Sequence, residues 1–305
     1  MDEIQKKLLN EISGIHDIPN GAYNIRIDGN ALHMNSTANI EIVKKKDKSG
    51  MDIYIKDNTK NESLHIPVIL TESGLNEVVY NDFHIGENCE VTIVGGCGIH
   101  NNGEKKSEHD GVHTFYIGKN SIINYTENHY GEGNGEGGNV LNPVTIVEMD
   151  ENSYMEMDAV QIKGVDSTDR ITKAKLKEGA KIVVREKIMT HGNQFAKTAF
   201  EVELNGDNSS AHVMSRSVAK DSSKQEFLSK VTGNSKCSGH SECDAIIMDN
   251  AVVKAIPQIL ANNVEANLVH EAAIGKIAGE QLMKLMTLGL SEKEAEEWIV
   301  NGFLK

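Results

Sequence analysis

Only 5% of the 305 residues are aromatic, with a single Trp, and the chain has just 4 Pro and 4 Cys. Four thiols are too few to staple a secreted disulfide framework, so they read as reduced and free for metal or sulfur chemistry. No apolar run approaches the roughly 18 residues of a membrane-spanning helix. The opening segment MDEIQKKLLNEIS is charged rather than signal-like, which predicts a soluble, cytoplasmic protein with no membrane partner. Basic residues are also in deficit: 31 Lys and Arg against 45 Asp and Glu leave a net charge of −14. Phosphate backbones are bound through clustered cations, so a nucleic-acid partner is excluded. What the chain does have is 27 Gly, which with so little Pro and aromatic content suits a repetitive β structure better than a helix bundle.

Residues 2–13 read as a short amphipathic helix, with Ile4, Leu8, Leu9 and Ile12 at spacings of three and four. Pro19-Asn20-Gly21 marks a turn. From Tyr23 the period becomes two, in Tyr23/Ile25/Ile27, Ile40/Ile42 and Met51/Ile53/Ile55. Residues 1–64 are therefore expected to be a helix followed by hairpins, with Lys44-Lys45-Lys46 a solvated hairpin end.

A longer pattern occupies residues 65–273. Ile85-Gly86-Glu87-Asn88-Cys89, Ile117-Gly118-Lys119-Asn120-Ser121 and Met149-Asp150-Glu151-Asn152-Ser153 are near copies, 32 residues apart, each followed by an alternating strand. Weaker copies follow at Leu176–Ala180 and Leu204–Ser209, and shorter variants at Met248–Ala251 and Ala261–Val264. Strand-turn-strand units at such a period signal a solenoid, because each unit has an apolar edge that only stacking can bury. The small residue after each turn fits a tight corner. Left-handed hexapeptide helices repeat every six residues, so the expectation is a mainly β fold, a right-handed or irregular β-helix. Residues 274–305 form a helical C-terminal domain. One helix spans Ile277–Leu288 and stops at Gly289; a second opens at the capping box Ser291–Glu294, with Ala295, Trp298 and Ile299 as its apolar face.

No nucleotide-binding or serine-hydrolase fingerprint is present. The stretch from Gly131 to Gly138 lacks the Gly-Lys-Ser/Thr ending and reads as a flexible loop. Cys237-Ser-Gly-His240-Ser-Glu-Cys243 holds two thiols and an imidazole within seven residues. In an unbroken strand Cys237 and Cys243 share a face and His240 points away, unless Gly239 breaks the alternation. Cys97 lies among glycines that leave its sulfur open to close approach, while Cys89 is a corner packing residue. His109, His113 and His129 lie near Cys97 in sequence, and His270-Glu271 precedes the terminal helices. Thiolate, imidazole and carboxylate are ligands that iron or an iron–sulfur cluster accepts. A metal-free β-helical binding protein and a histidine-based metal enzyme are the competing readings.

Gly239-His240-Ser241-Glu242-Cys243-Asp244 and Leu268-Val269-His270-Glu271-Ala272 resemble segments of the SufB/SufD family, core subunits of the Suf iron–sulfur cluster assembly machinery. The run from Ile277 through Glu280-Gln281-Leu282, Gly289-Leu290-Ser291 and Ile299-Val300-Asn301-Gly302-Phe303 resembles the SufB ending. The resemblance implies a right-handed parallel β-helix and a non-enzymatic scaffold that receives sulfur and iron, carries a transient cluster and passes it to apo-proteins. It implies a SufC-like ABC ATPase docked on the terminal helices, at Leu282, Leu285, Met286 and Trp298, and a compact chain that is its own homodimer partner. Cys243, Glu271 and His270 correspond to the assembly residues and Cys97 to the sulfur acceptor. Cys237, His240 and His113 are weaker candidates. The sulfur donor and the cluster nuclearity are not specified.

Overall fold

The computed structural model describes residues 1–16 and 18–305. Helix α1 (Glu3–Ser13) leads into β1 (Ala22–Ile27), β2 (Asn30–Asn35), β3 (Ile40–Lys44), β4 (Gly50–Ile55), β5 (Lys60–Leu70), β6 (Asn76–Ile85), β7 (Glu90–His100) and β8 (Ser107–Ile117). Next come β9 (Ile122–Glu132), β10 (Asn139–Leu141), β11 (Val144–Met149), β12 (Tyr154–Lys163), β13 (Ser167–Leu176), β14 (Lys181–Thr190), β15 (Phe195–Leu204) and β16 (Ser210–Ala219). The chain ends with β17 (Lys224–Gly233), β18 (Ser238–Ile247), β19 (Val252–Ala261), β20 (Asn267–Gly275), α2 (Gly279–Thr287) and α3 (Glu292–Phe303).

From β5 onward the chain alternates between two sheets, with β10 and β11 sharing one place, giving a parallel β-solenoid. One sheet, here sheet A, runs β2-β1-β5-β7-β9-β12-β14-β16-β18-β20; the facing sheet B runs β19-β17-β15-β13-β10-β8-β6-β4-β3, with β11 beside β10 between β13 and β8. The expectation of a mainly β, parallel β-helix with a short N-terminal helix and C-terminal helices is met. Inward residues alternate with outward ones on every strand, and the inward set (Ile53, Phe83, Phe115, Ile123, Met155, Leu176, Val213 and their neighbours) forms one continuous core.

The repeated turns join sheet B to sheet A. Asn88, Asn120, Asn152 and Asn208 adopt φ between 55° and 59° there, and Gly179 adopts 66°. Each donates its backbone N–H to a carbonyl of the next coil, at Lys119, Glu151, Glu178, Lys236 and Asp207. Asn tolerates the left-handed region better than other non-Gly residues, which explains its recurrence. The residue after it is buried, as expected: Cys89, Ser121, Ser153, Ala180 and Ser209. The Met248–Ala251 segment belongs elsewhere. It joins sheet A to sheet B, where Asp249 sits over Asp221 and Gly192, so the series read from sequence mixes two corners.

Two expectations are corrected. The Gly131–Gly138 stretch is a stacked corner, not a free loop: Gly135 N–H donates to Asn101 O and Gly137 N–H to Gly103 O, both at 3.1 Å. A Cβ on Gly135 would come within 2.2 Å of the Gly103 carbonyl oxygen. Lys45 is not solvated either; its ammonium is buried between Asp52 and Asp82. On β1, Ile25 and Ile27 face outward beneath α1, packing with Leu8, Leu9, Ile12 and Ile69, so this strand is buried on both sides. Helix α3 lies on the outer face of sheet A, where Val300 and Leu304 pack on Val218.

Candidate functional site

Strand β18 is regular along its whole length and pairs without a register shift, so Gly239 does not break it. Gly239, Ser241, Cys243 and Ala245 face inward; His240, Glu242 and Asp244 face outward. Gly239 is there because the interior is full: a Cβ would meet Leu268 and Val231 at 2.8 Å. Cys237 and Cys243 share the inward face but lie six residues apart along an extended chain, about 20 Å. One iron ion therefore cannot use both.

The last coil divides the predicted assembly residues between two faces. Cys243 pairs in register with Ala272, and Ser241 with His270, so Cys243 and His270 both face the interior. Glu271 pairs with Glu242 and points outward, with its carboxylate 3.5 Å from His240 Nε2. Cys243 is only 1% exposed. Burial, aided by the Glu186 and Asp244 carboxyl groups, pushes its thiol up to about 12. His270 is half-buried, and neither of its ring nitrogens has a hydrogen-bond partner. Burial, with His240 close by, lowers its affinity for a proton.

Cys97, on β7, faces inward beside Val68, Leu70, Ile99, Leu141 and Val165. The flanking glycines do not open its sulfur. They serve close packing: a Cβ on Gly96 would meet the Asn128 carbonyl oxygen at 2.3 Å, and the missing Cβ of Gly98 makes room for the side chains of Leu8 and Ile12 on α1. Burial pushes the Cys97 thiol well above its ordinary value, and Glu77 and Glu127 add to the effect. A small internal cavity touches Cys97, His109, His113, Glu127 and His129. The histidines noted from sequence therefore do converge, but on a network of buried partners.

Sequence reasoning missed that network. His113 Nδ1 lies 2.9 Å from Tyr125 Oη, which donates to Glu127 at 3.1 Å. Glu127 is ion-paired with Arg170, whose Nη2 donates to His129 Nδ1 at 3.1 Å. Arg170 also approaches Glu186, and Glu186 accepts a hydrogen bond from Ser215 at 2.8 Å. Ser215 is the register partner of Cys243. Polar side chains thus line the interior from the level of Cys97 on β7 to Cys243 on β18, five strand steps or about 24 Å. Burial opposes ionisation of Glu127, but the Arg170 guanidinium outweighs it and holds the carboxyl at about 2. Burial keeps His113 and His129 neutral, down to about 4 and about 3.

At the far end, β19 and β20 are the edge strands of their sheets, and they leave Val252, Ile259, Leu260 and Ile274 exposed. On the terminal helices Met286 and Trp298 are exposed and Leu282 and Leu285 half-buried, with Met283 and Leu288 exposed alongside. Trp298 therefore faces away from the solenoid, unlike Ala295 on the same helix. Among the described residues no helix is long and apolar enough to cross a membrane.

Residues 71–303 match the family described as "SUF system FeS cluster assembly, SufBD core domain". An iron–sulfur cluster assembly SufBD family protein of Methanocaldococcus jannaschii is 30% identical over 244 residues, covering 79% of this chain and 76% of its own. A second, from Pyrococcus horikoshii, is 28% identical over 282 residues, covering 90% of this chain and 83% of its own. The iron–sulfur cluster assembly protein SufB of Bacillus subtilis is 39% identical over 104 residues, 32% of this chain and 22% of that protein. With the family match running through nearly the whole solenoid and both terminal helices, the chain belongs to the SufBD core family of the SUF iron–sulfur cluster assembly system.

Proposed function

We propose that this chain is a scaffold on which an iron–sulfur cluster is assembled and from which it is passed to apo-proteins. The observation that carries the reading is that Cys243 and His270 both face inward on the last two strands of sheet A, offset by two residues in register, at the end of the solenoid where those strands form the sheet edge. A thiolate and an imidazole are both iron and cluster ligands. Glu271, on the outer face of the same coil, is a hard oxygen ligand that reaches the inner pair only if the coil rearranges or a second copy contributes it. Unpaired strand edges with exposed apolar side chains invite such a copy, which supports a homodimer joined through β19 and β20.

Sulfur enters at Cys97. Its thiolate attacks the outer sulfur of a donor persulfide, becoming a persulfide itself and releasing the donor thiol. In the closed state this thiol is buried and protonated, as is Cys243, and only the thiolate is the nucleophile and metal ligand. Opening must therefore be driven. A SufC-like ABC ATPase on the exposed Met286 and Trp298, with Leu282 and Leu285 beside them, supplies the drive, as an amphipathic helix pair suits a partner's groove.

Anaerobic reconstitution with ferrous iron and sulfide tests the reading. Cluster absorbance is expected in the wild type and in Cys237→Ser, and lost in Cys243→Ser. A cluster that survives Cys243→Ser combined with His270→Ala removes the proposed ligand set. Met286→Glu with Trp298→Glu is expected to abolish co-purification of the ATPase. These substitutions are better than deleting the helices, because deletion would uncover Val218.

A further inference from the structure

The outer face of sheet A carries a second group of ligand-type side chains, separated from Cys243 by the sheet itself. His212 and His240 are register partners on β16 and β18, with rings parallel to within 5° and centroids 4.8 Å apart. The next outward row is Glu242 and Glu271, register partners on β18 and β20. His212 Nε2 lies 3.7 Å from Glu242, and His240 Nε2 lies 3.5 Å from Glu271. One ligand atom each from His212, His240 and Glu242 falls within 4.8 Å of the other two, the one such trio among the described residues.

Two further observations set this grid apart. Both Nε2 atoms are covered by neighbouring atoms yet have no hydrogen-bond partner. Elsewhere on the solenoid, several outward acids on neighbouring coils are matched by cations, as in Lys230–Glu201, Arg185–Glu156 and Lys197–Asp169. Glu242 and Glu271 stand side by side, and among the described residues neither has a Lys or Arg partner. Like charges directly opposite on a sheet are destabilising, and a bound cation relieves that repulsion.

We propose that His212, His240 and Glu242 form a mononuclear site for a divalent transition-metal ion of the Zn²⁺ or Fe²⁺ class, with Glu271 as a fourth ligand. Two imidazoles and a carboxylate form the donor set these ions take, at bonds of about 2.0–2.2 Å. Atoms sharing one ion at such bonds lie roughly 3–3.5 Å apart, so the trio closes by small rotations of partly exposed side chains. An open groove beside the grid, bordered by Lys181, Ser210, Ser238 and Asn267, gives the ion a way in. The His212, His240 and Glu242 trio uses no thiol and none of the cluster ligands proposed above; only Glu271 is common to the two readings, so binding by the trio is read separately from cluster assembly at Cys243.

Co²⁺ titration of the full chain tests the assignment. One Co²⁺ per chain is expected, with visible ligand-field absorption, no sulfur-to-cobalt charge-transfer band, and displacement by Zn²⁺. His212→Ala and His240→Ala should each weaken binding by at least about tenfold, while Cys243→Ser binds as the wild type does. Thermal melting of the variants checks the fold. Absence of stoichiometric binding, binding unchanged in the double histidine variant, or charge-transfer bands that vanish in Cys243→Ser would each overturn the proposal.

Discussion

Cys243 and Glu271 lie on adjacent strands but face opposite sides of one sheet: the thiol meets Ala272 in the interior, and the carboxylate meets Glu242 outside. The cause is the two-residue period of a strand, since the partner of Cys243 is one position beyond Glu271. His270, the preceding residue, is the one that turns inward with the thiol.

That placement fixes how the thiols should react. With its pKa at about 12, Cys243 holds roughly a thousandfold less thiolate at pH 8 than an ordinary cysteine. Alkylation of the native protein, followed by mass spectrometry, should leave all four buried cysteines unmodified while glutathione is consumed. Urea should release four reactive thiols. Glu271→Gln should leave the Cys243 rate unchanged, because the sheet stands between them. A rapidly labelled Cys243 in the native protein would contradict the closed coil.

Arg170 is among the largest fully buried side chains, and its charge is offset by Glu127, with Glu186 close by. Removing one member of a buried pair strands the other charge. Glu127→Ala is therefore expected to cost about 3–5 kcal/mol in urea unfolding. Glu127→Leu combined with Arg170→Met should lose much less than the sum of the single changes. Additive losses would show that the two charges do not depend on each other.

Acid should weaken the fold well above the usual carboxylate range. Unfolded histidines take up protons near 6.5, whereas His113 and His129 resist until about 4 and about 3. Between those values the unfolded chain holds more protons, so stability falls as pH falls from about 6.5. Glu127, held at about 2, extends the loss in the same direction below about 4.5; Glu186, raised by burial, partly opposes it. The combined effect is on the order of a few kcal/mol. The urea midpoint should drop between pH 7 and pH 5, and His113→Gln with His129→Gln should flatten that slope. A midpoint already flat in the wild type would count against neutral buried histidines.

Much of this was legible in the chain because a solenoid repeats its local chemistry. The Asn-then-small corners announce the left-handed turn residue and the buried position after it, and the alternation around Tyr125 implies that Glu127 and His129 also face inward. Their partner was hidden: Arg170 lies 43 residues beyond Glu127, and no local period links them. The outer grid was within reach, since His212 and His240 are one coil apart, as are Glu242 and Glu271. It passed unnoticed because the later coils shorten from 32 residues to 27–29 and blur the register.

Glycine misled where composition replaced geometry. A glycine-rich run reads as flexible because glycine has the most conformational freedom to lose, yet stacking one backbone directly on another also requires glycine. The two readings predict opposite signs. In a free loop, Gly135→Ala would be neutral or would stabilise by up to about 1 kcal/mol through the unfolded chain. In the stacked corner the new Cβ meets the Gly103 carbonyl oxygen at 2.2 Å, and the backbone must shift at a cost of about 1–3 kcal/mol. Gly192→Ala is the control. Its φ of +59° is strained for alanine, but nothing lies within 4 Å, so about 1 kcal/mol is expected. A Gly135→Ala melting temperature equal to or above the wild type would return this segment to the flexible class. A loss larger than that of Gly192→Ala would establish backbone stacking as the reason for the glycines.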